Sequence, residues 1–384
     1  MTPIAGGNVC ANTPPINPLS LGPFAVKLMN ASSMPVSRLF EEAQSAPDRI
    51  AAQWQNNAPA IERLVADMRQ LSPQWIVTCA RGSSDHAASF AKYLIETELG
   101  LSVASHALSV SSLYHQSMPA LRGQVFLCIS QSGRSADILE SAERAKASGA
   151  FLLCLVNDET SPLAQMADAF LPLGAGPETS VAASKSFLCS LACLLQLVSA
   201  YKGDRDWSES LKALPAHLRA AWQCDPEPAV RAFTLVQFGF TLGRGPTHGI
   251  AQEAALKFKE TCALPFEAFS MAEFAHGPRA LARQASAFLL FPPYGPARPS
   301  FEAGARELQA LGATMWSMAP LAGLPCLLDG LPGITGSSRD IQGSHWQIPL
   351  VQAIAFYRFI DALAFARGLD PDQPPYLSKV TTTL

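Results

Sequence analysis

The chain has 384 residues, 48% of them hydrophobic and 15% charged, with a formal net charge of −3. That length predicts two domains with sizeable cores. With no basic run or basic excess, the composition excludes a nucleic-acid or membrane-surface binder, so an anionic ligand has to be met by local donors.

Residues 1–22 are rich in Pro, Gly and Asn and read as a disordered or extended lead. They lack a charged region followed by an apolar core, so they do not read as a signal peptide. Helix is expected over 36–45. Beyond Pro47 one or two further helices reach about Leu71, with Ile61, Leu64, Val65 and Met68 at helical spacing. A strand–helix alternation then begins. Residues 75–80 form an apolar strand, 81–85 a Ser-rich turn, and a helix runs on to about Glu98. Residues 124–129 form a second strand, 130–135 a loop and 136–146 a helix. The third strand is 151–156. Its turn ends with Ser161 as N-cap and Pro162 at the first helical position. A short strand over 169–173, a loop over 174–180 and a long helix over 181–201 follow. The most apolar segment, 187–201, is too short to span a bilayer.

From 202 to 228 the pattern is polar, with helix over 207–222 and a linker at 225–228. It then restarts: strand 235–242, glycine turn 243–247, helix 249–262, strand 286–291, helix 300–311, strand 314–317 and helix 349–367. The fold class is therefore α/β, and the shared element order of the two halves reads as an internal duplication. The nine cysteines are scattered and form no CxxC pair, so they read as reduced core residues; no metal site or cofactor is expected.

Four stretches carry candidate chemistry. Ser130, Gln131, Ser132, Gly133, Arg134 and Ser135 lie where a strand's carboxyl end meets a helix amino end, the position where open α/β sheets bind ligands. Free N–H groups and the helix dipole favour an anion there, although a polar loop capped by Ser135 has the same look. In the helix over 249–262, Glu253, Lys257 and Glu260 share one face. From spacing alone this is also an ordinary amphipathic helix, with Ala251, Ala254, Ala255 and Phe258 opposite. Downstream, His276 precedes Gly–Pro on a loop, where it is either a surface residue or an acid–base group. Lys379 lies in a proline-led tail, where a lone Lys is usually solvated.

These motifs resemble the sugar isomerase (SIS) domain, a phosphosugar-binding family. Arg81-Gly82-Ser83-Ser84 matches its first turn, Ser130 to Ser135 its phosphate loop, and Val181-Ala182-Ala183-Ser184-Lys185 its third signature. Glu253-Ala-Ala-Leu-Lys257-Phe-Lys-Glu260, the block ending His276-Gly-Pro and the tail Leu377-Ser-Lys379-Val-Thr are similar to the isomerase half of glucosamine-6-phosphate synthase, over roughly residues 30–384. The resemblance implies two tandem SIS domains, each a doubly wound, mainly parallel sheet flanked by helices. Their expected bounds are 66–215 and 216–370, after a lead over 1–25 and a helical arm over 26–65, and before a catalytic tail over 371–384.

It also implies roles. Ser84, Ser130, Gln131, Ser132 and Ser135 hold the phosphate. Gly82, Ser83, Val181, Ala182 and Lys185 line the substrate. Glu260 moves a proton between sugar carbons one and two. His276, from a neighbouring subunit of a homodimer, assists ring opening. Lys379 forms a Schiff base, and Lys257 and Glu253 assist hydroxyl proton transfer. The synthase begins with a glutaminase domain whose nucleophilic Cys follows Met1. Thr2 stands there in this chain, and the first 50 residues cannot hold such a domain. Arg134–Ser135 replaces an acidic residue and Thr, and Ala183 replaces Ser. These departures are similar to the stand-alone relatives that deaminate glucosamine 6-phosphate. The expectation is thus a cytoplasmic deaminase and isomerase of that sugar. The alternatives are another amino-sugar phosphate, amination in reverse, or a phosphosugar sensor without catalysis.

Overall fold

A computed structural model of the protein describes residues 36–282, 287–331, 345–377 and 379. The lead expected over 1–25 lies outside them.

The first element departs from expectation. α1 (Arg38–Leu71) is one helix of 34 residues that contains both Pro47 and Pro59. Each proline removes a backbone donor and was expected to divide the segment. The buried stripe of Leu39, Ala43, Ala46, Ile50, Ile61, Leu64 and Met68 keeps one packing face continuous through both sites. Burial of such side chains stabilises by about 1.5–3 kcal/mol each, enough to outweigh the lost donors.

Five strands then form a parallel sheet: β1 (Trp75–Cys79), β2 (Ser102–Ser105), β3 (Val125–Ser130), β4 (Phe151–Val156) and β5 (Ala169–Pro172), in the order β2-β1-β3-β4-β5. The helices between them are α2 (Ser83–Leu99), the short α3 (Leu108–Ser112), α4 (Ala136–Ala147) and α5 (Pro162–Met166). Ser161 caps α5 by accepting from the Ala164 N–H, with Pro162 at the first turn as expected. β2 was not foreseen, because an exposed edge strand of alternating Ser and small apolar residues has no buried run. α6 (Lys185–Lys202) starts four residues later than expected, because the signature residues 181–184 remain irregular.

Helices α7 (Arg205–Leu211), α8 (Leu214–Trp222) and α9 (Glu227–Phe233) lead to the second sheet. The linker expected at 225–228 shrinks to a break before α9, since Pro228 opens that helix rather than ending one. The strand expected over 235–242 is displaced to β6 (Gly239–Gly243). α10 (His248–Cys262) follows as expected, and β7 (Phe266–Ser270) with α11 (Met271–Ala275) occupies the block that broke helical spacing. β8 (Ala287–Leu290), α12 (Arg298–Ala310), β9 (Met315–Ser317) and α13 (Ile348–Ala366) complete the chain. The second sheet is parallel, in the order β7-β6-β8-β9. Its order repeats that of the first four strands.

Alternation along the strands divides the core. Val125, Leu127 and Ile129 of β3 face one large cluster that runs from α1 through α6, α10 and α13. Phe126 and Cys128 face a smaller cluster under α4. Phe240, Leu242, Phe288 and Leu290 do the same on the outer face of the second sheet. α13 is the helix, among the described residues, long and apolar enough to cross a bilayer, yet 83% of its apolar window is buried inside the protein.

Candidate active site

In a sheet of order 2-1-3-4-5, chain connections leave β1 and β3 toward opposite sides, and the crevice between their carboxyl ends is open to a ligand. A cavity of about 180 Å³ lies there. Ser83 and Ser84 enter it from the first turn of α2, just after β1, and Ser130, Gln131, Ser132 and Ser135 from the end of β3 and the loop after it. Two helix amino ends point toward it, α2 with Gly82 as N-cap and α4 with Ser135 as N-cap, and neither N-cap position makes a side-chain capping bond. The hydroxyl of Ser135 is therefore left to face the cavity. Gly133 makes the loop possible: at φ 62° a Cβ there would stand 2.2 Å from the Ser161 Oγ.

Arg134 does not reach the cavity. Its guanidinium pairs with Asp158 at 2.8 Å on the surface. The lining cations are instead Arg81, held by Asp137 at 2.7 Å, and Lys379. Val181 also lines the cavity, whereas Ala182 is buried beside it and Lys185 turns its ammonium to the Pro177 carbonyl. The Lys379 tail is seated: Nζ donates to the Ser180 carbonyl at 2.6 Å and lies 3.6 Å from Glu178.

The face of Glu253, Lys257 and Glu260 is not solvated. α10 is fixed in rotation by Phe258, whose ring stacks on Phe266 with centroids 3.8 Å apart. The opposite face then packs on α2. Glu253 and Lys257 are buried there, whereas the Glu260 side chain keeps 21% exposure. Glu253 accepts from Ser83 at 3.1 Å and Tyr357 at 2.9 Å, and lies 2.9 Å from His86 Nδ1. Lys257 stands 3.3 Å from Glu253 and 2.5 Å from Glu260, and donates to Ser83 at 3.2 Å.

Burial alone would push the Glu253 carboxyl up, but the Lys257 ammonium, His86 and Tyr357 outweigh it and hold it at about 2. Burial would likewise depress Lys257, and the two flanking carboxylates instead raise it above the usual lysine range. Burial, then the Glu253 charge, raises the Tyr357 phenol, so it remains a donor. The face thus holds a fixed anion–cation pair with Glu260 as its accessible end.

His276 is not brought to this cavity. It caps α11, exposed, with its N–H on the Glu273 carbonyl. Several site residues escaped sequence reading. Arg81 opens the first turn, and its position at a strand's end was the available signal. His86 is one helical turn beyond Ser83. Glu178, whose carboxylate accepts from the Ser184 and Ser186 N–H groups, is an acid ahead of a helix start. Tyr357, in a helix apolar almost throughout, has no local signal.

Residues 72–200 match the family model of the SIS domain. The chain is 32% identical over 329 residues to a glutamine–fructose-6-phosphate aminotransferase (isomerizing) of Zymomonas mobilis, covering 82% of this chain and 53% of that protein. It spans about half the length of the curated relatives it matches. A crystal structure from Silicibacter pomeroyi DSS-3, described as a phosphosugar isomerase, superposes with a TM-score of 0.80 at 34% identity, covering 88% of this chain and 100% of that one. The C-terminal domain of glucosamine-fructose-6-phosphate aminotransferase from Francisella tularensis superposes at 0.77 with 23% identity over 90% of this chain and all of that one, a likeness of fold.

Proposed function

The chain belongs to the SIS-domain family and is homologous to the isomerase part of glutamine–fructose-6-phosphate aminotransferase, and on that footing we propose that it converts glucosamine 6-phosphate to fructose 6-phosphate and ammonia. The observation that carries this reading is Ser83. Its hydroxyl lines the anion cavity and also bonds Glu253 and Lys257, so the phosphate cradle and the proton-moving face are contiguous.

In this reading the phosphate rests on Ser84, Ser130, Gln131, Ser132 and Ser135, with Arg81 supplying charge. Glu260 removes the proton from carbon two of the open-chain aldehyde and returns it to carbon one, which leaves a ketose imine. The Lys379 amine attacks carbon two, ammonia leaves, and water then cleaves the lysine imine to release the ketone. Lys257 and Glu253 stay charged and assist hydroxyl proton transfer through the Ser83 hydroxyl that both bond. His276, exposed on its own protomer, opens the sugar ring in a second copy of the chain, so the working unit is a homodimer. The two sheets are two SIS domains in tandem, 66–215 and 216–370, behind an arm over 26–65 and ahead of a tail over 371–384.

The test is incubation of the full chain with glucosamine 6-phosphate. Ammonia and fructose 6-phosphate in equal amounts are expected. Thermal stabilisation by the sugar with neither product would overturn the enzyme in favour of a sensor.

A further inference from the structure

Three buried polar side chains on α1 face the end of β5 and the irregular segment that follows it. Asn57 donates to the Pro172 carbonyl at 2.9 Å and Gln53 to the Leu173 carbonyl at 2.7 Å. Nearer the helix start, Glu42 accepts from the Thr179 N–H at 2.5 Å, its hydroxyl at 3.2 Å and the Ser180 N–H at 3.3 Å. All three are buried. Beyond β5 the peptide groups have to find partners outside the sheet, and α1 supplies those of Leu173, Thr179 and Ser180.

The other side of the same segment receives the tail. The Ser180 carbonyl takes the Lys379 Nζ at 2.6 Å, and the Glu178 carboxylate lies 3.6 Å from it. The tail itself is tied to the start of α1. Asp372 accepts from the Arg38 N–H at 2.7 Å and the Leu39 N–H at 3.4 Å, groups that a helix start leaves without helical partners. The amino-terminal turns of α1 therefore fix both the seat of Lys379 and the arm that carries it.

We infer that Glu42 is a positioning residue that sets where the Lys379 amine stands in the cavity, with Asp372 as its counterpart on the tail. Glu42 is not among the residues that line the cavity, and it acts through the Thr179–Ser180 peptide. Neither residue belongs to the proton-moving face of α10. The inference deepens the reading of Lys379 as the imine-forming amine and rests on it, but its first readout does not need turnover.

That readout is acetylation of the full chain by acetic anhydride, followed residue by residue with mass spectrometry. Lys146, paired with Asp168 at 2.9 Å in another part of the fold, is the internal standard. In Glu42→Ala and in Asp372→Ala, the Lys379 rate relative to Lys146 should rise about tenfold, as for a local opening. A merely structural role would raise both rates together and leave the ratio unchanged. An unchanged ratio overturns the inference, and Asp372→Ala, at a partly exposed helix end, decides it if Glu42→Ala does not fold. The second readout is borohydride trapping of fructose 6-phosphate on Lys379. The trapped fraction should fall about tenfold in Glu42→Ala with the affinity for inorganic phosphate little changed. No trapping in the unaltered chain would refute the imine reading, while the acetylation ratio would still decide the positioning.

Discussion

Ser83 and Glu253 stand 170 positions apart in the chain and are joined by a 3.1 Å hydrogen bond. The first opens α2 just after β1, the second lies on α10 after β6, so the bond ties the cavity beside one sheet to the charged face of the helix beside the other. The contact depends on how closely α10 crosses α2. A Cβ on Gly249 would stand 2.5 Å from the His86 carbonyl oxygen.

Gly249→Ala should therefore part the two helices. We expect a loss of about 1–3 kcal/mol, as for other overpacked sites, read as a shift in the urea midpoint. Turnover should fall with it, because His86 and Ser83 move away from Glu253. An unchanged midpoint would show that the crossing has slack.

Lys257 and Glu253 are each left with a buried opposite charge if the other is removed. Lys257→Met and Glu253→Gln should each cost about 3–5 kcal/mol, and the double variant less than their sum. The pH dependence follows from the directions of the shifts. Glu253 is held down to about 2 against an ordinary 4.5, so its contribution is present above pH 4.5 and is lost as pH falls toward 2. Lys257 is raised, so its contribution is present below its ordinary value and is lost as the solution becomes strongly alkaline. Urea midpoints measured across pH in the parent and in Glu253→Gln check both limbs.

Burial raises the Asp361 carboxyl to about 7, Asp372 and Asp370 add to it, and the Ser37 hydroxyl bond opposes it. The unfolded chain ionises near the ordinary 3.8, so the folded chain holds an extra proton between these values. Its stability should then fall as pH rises through that window, by at most about 1.4 kcal/mol per pH unit. Asp361→Asn cannot ionise. Relative to the parent it should be more stable at pH 8 than at pH 5, and a pH-independent difference would refute the shift.

Arg81 is the cation that lines the cavity from the first turn. Arg81→Ala should raise KM for the phosphosugar about tenfold or more, the scale of a charged hydrogen bond, with a smaller change in kcat. Arg134→Ala, whose partner is Asp158 on the surface, should leave KM within about twofold. Equal effects of the two would contradict the assignment.

Much of this was legible in local pattern. β1, β3 and β4 are apolar runs with polar turns, and both serine-rich turns landed in one crevice because the sheet order places β1 beside β3. α10 was legible as a helix, and its charged face as a row. That the row is buried was not, because the burying surface is α2, supplied by a different stretch of the chain. Pro47 and Pro59 concealed the continuity of α1 for the same reason: the packing that sustains it lies on α6 and α8. Ala182 and Lys185 match the signature but face away from the cavity, and His276 stands apart from it in a single protomer.

The most direct measurement of proton transfer is turnover of glucosamine 6-phosphate in D₂O, with the fructose 6-phosphate analysed by NMR. Ammonia equal to ketose, solvent deuterium in one prochiral position at carbon one, and a fall of about 10³-fold or more in Glu260→Gln are expected. Product without deuterium and without internal transfer of the carbon-two hydrogen, or a Glu260→Gln variant with undiminished turnover, would contradict it.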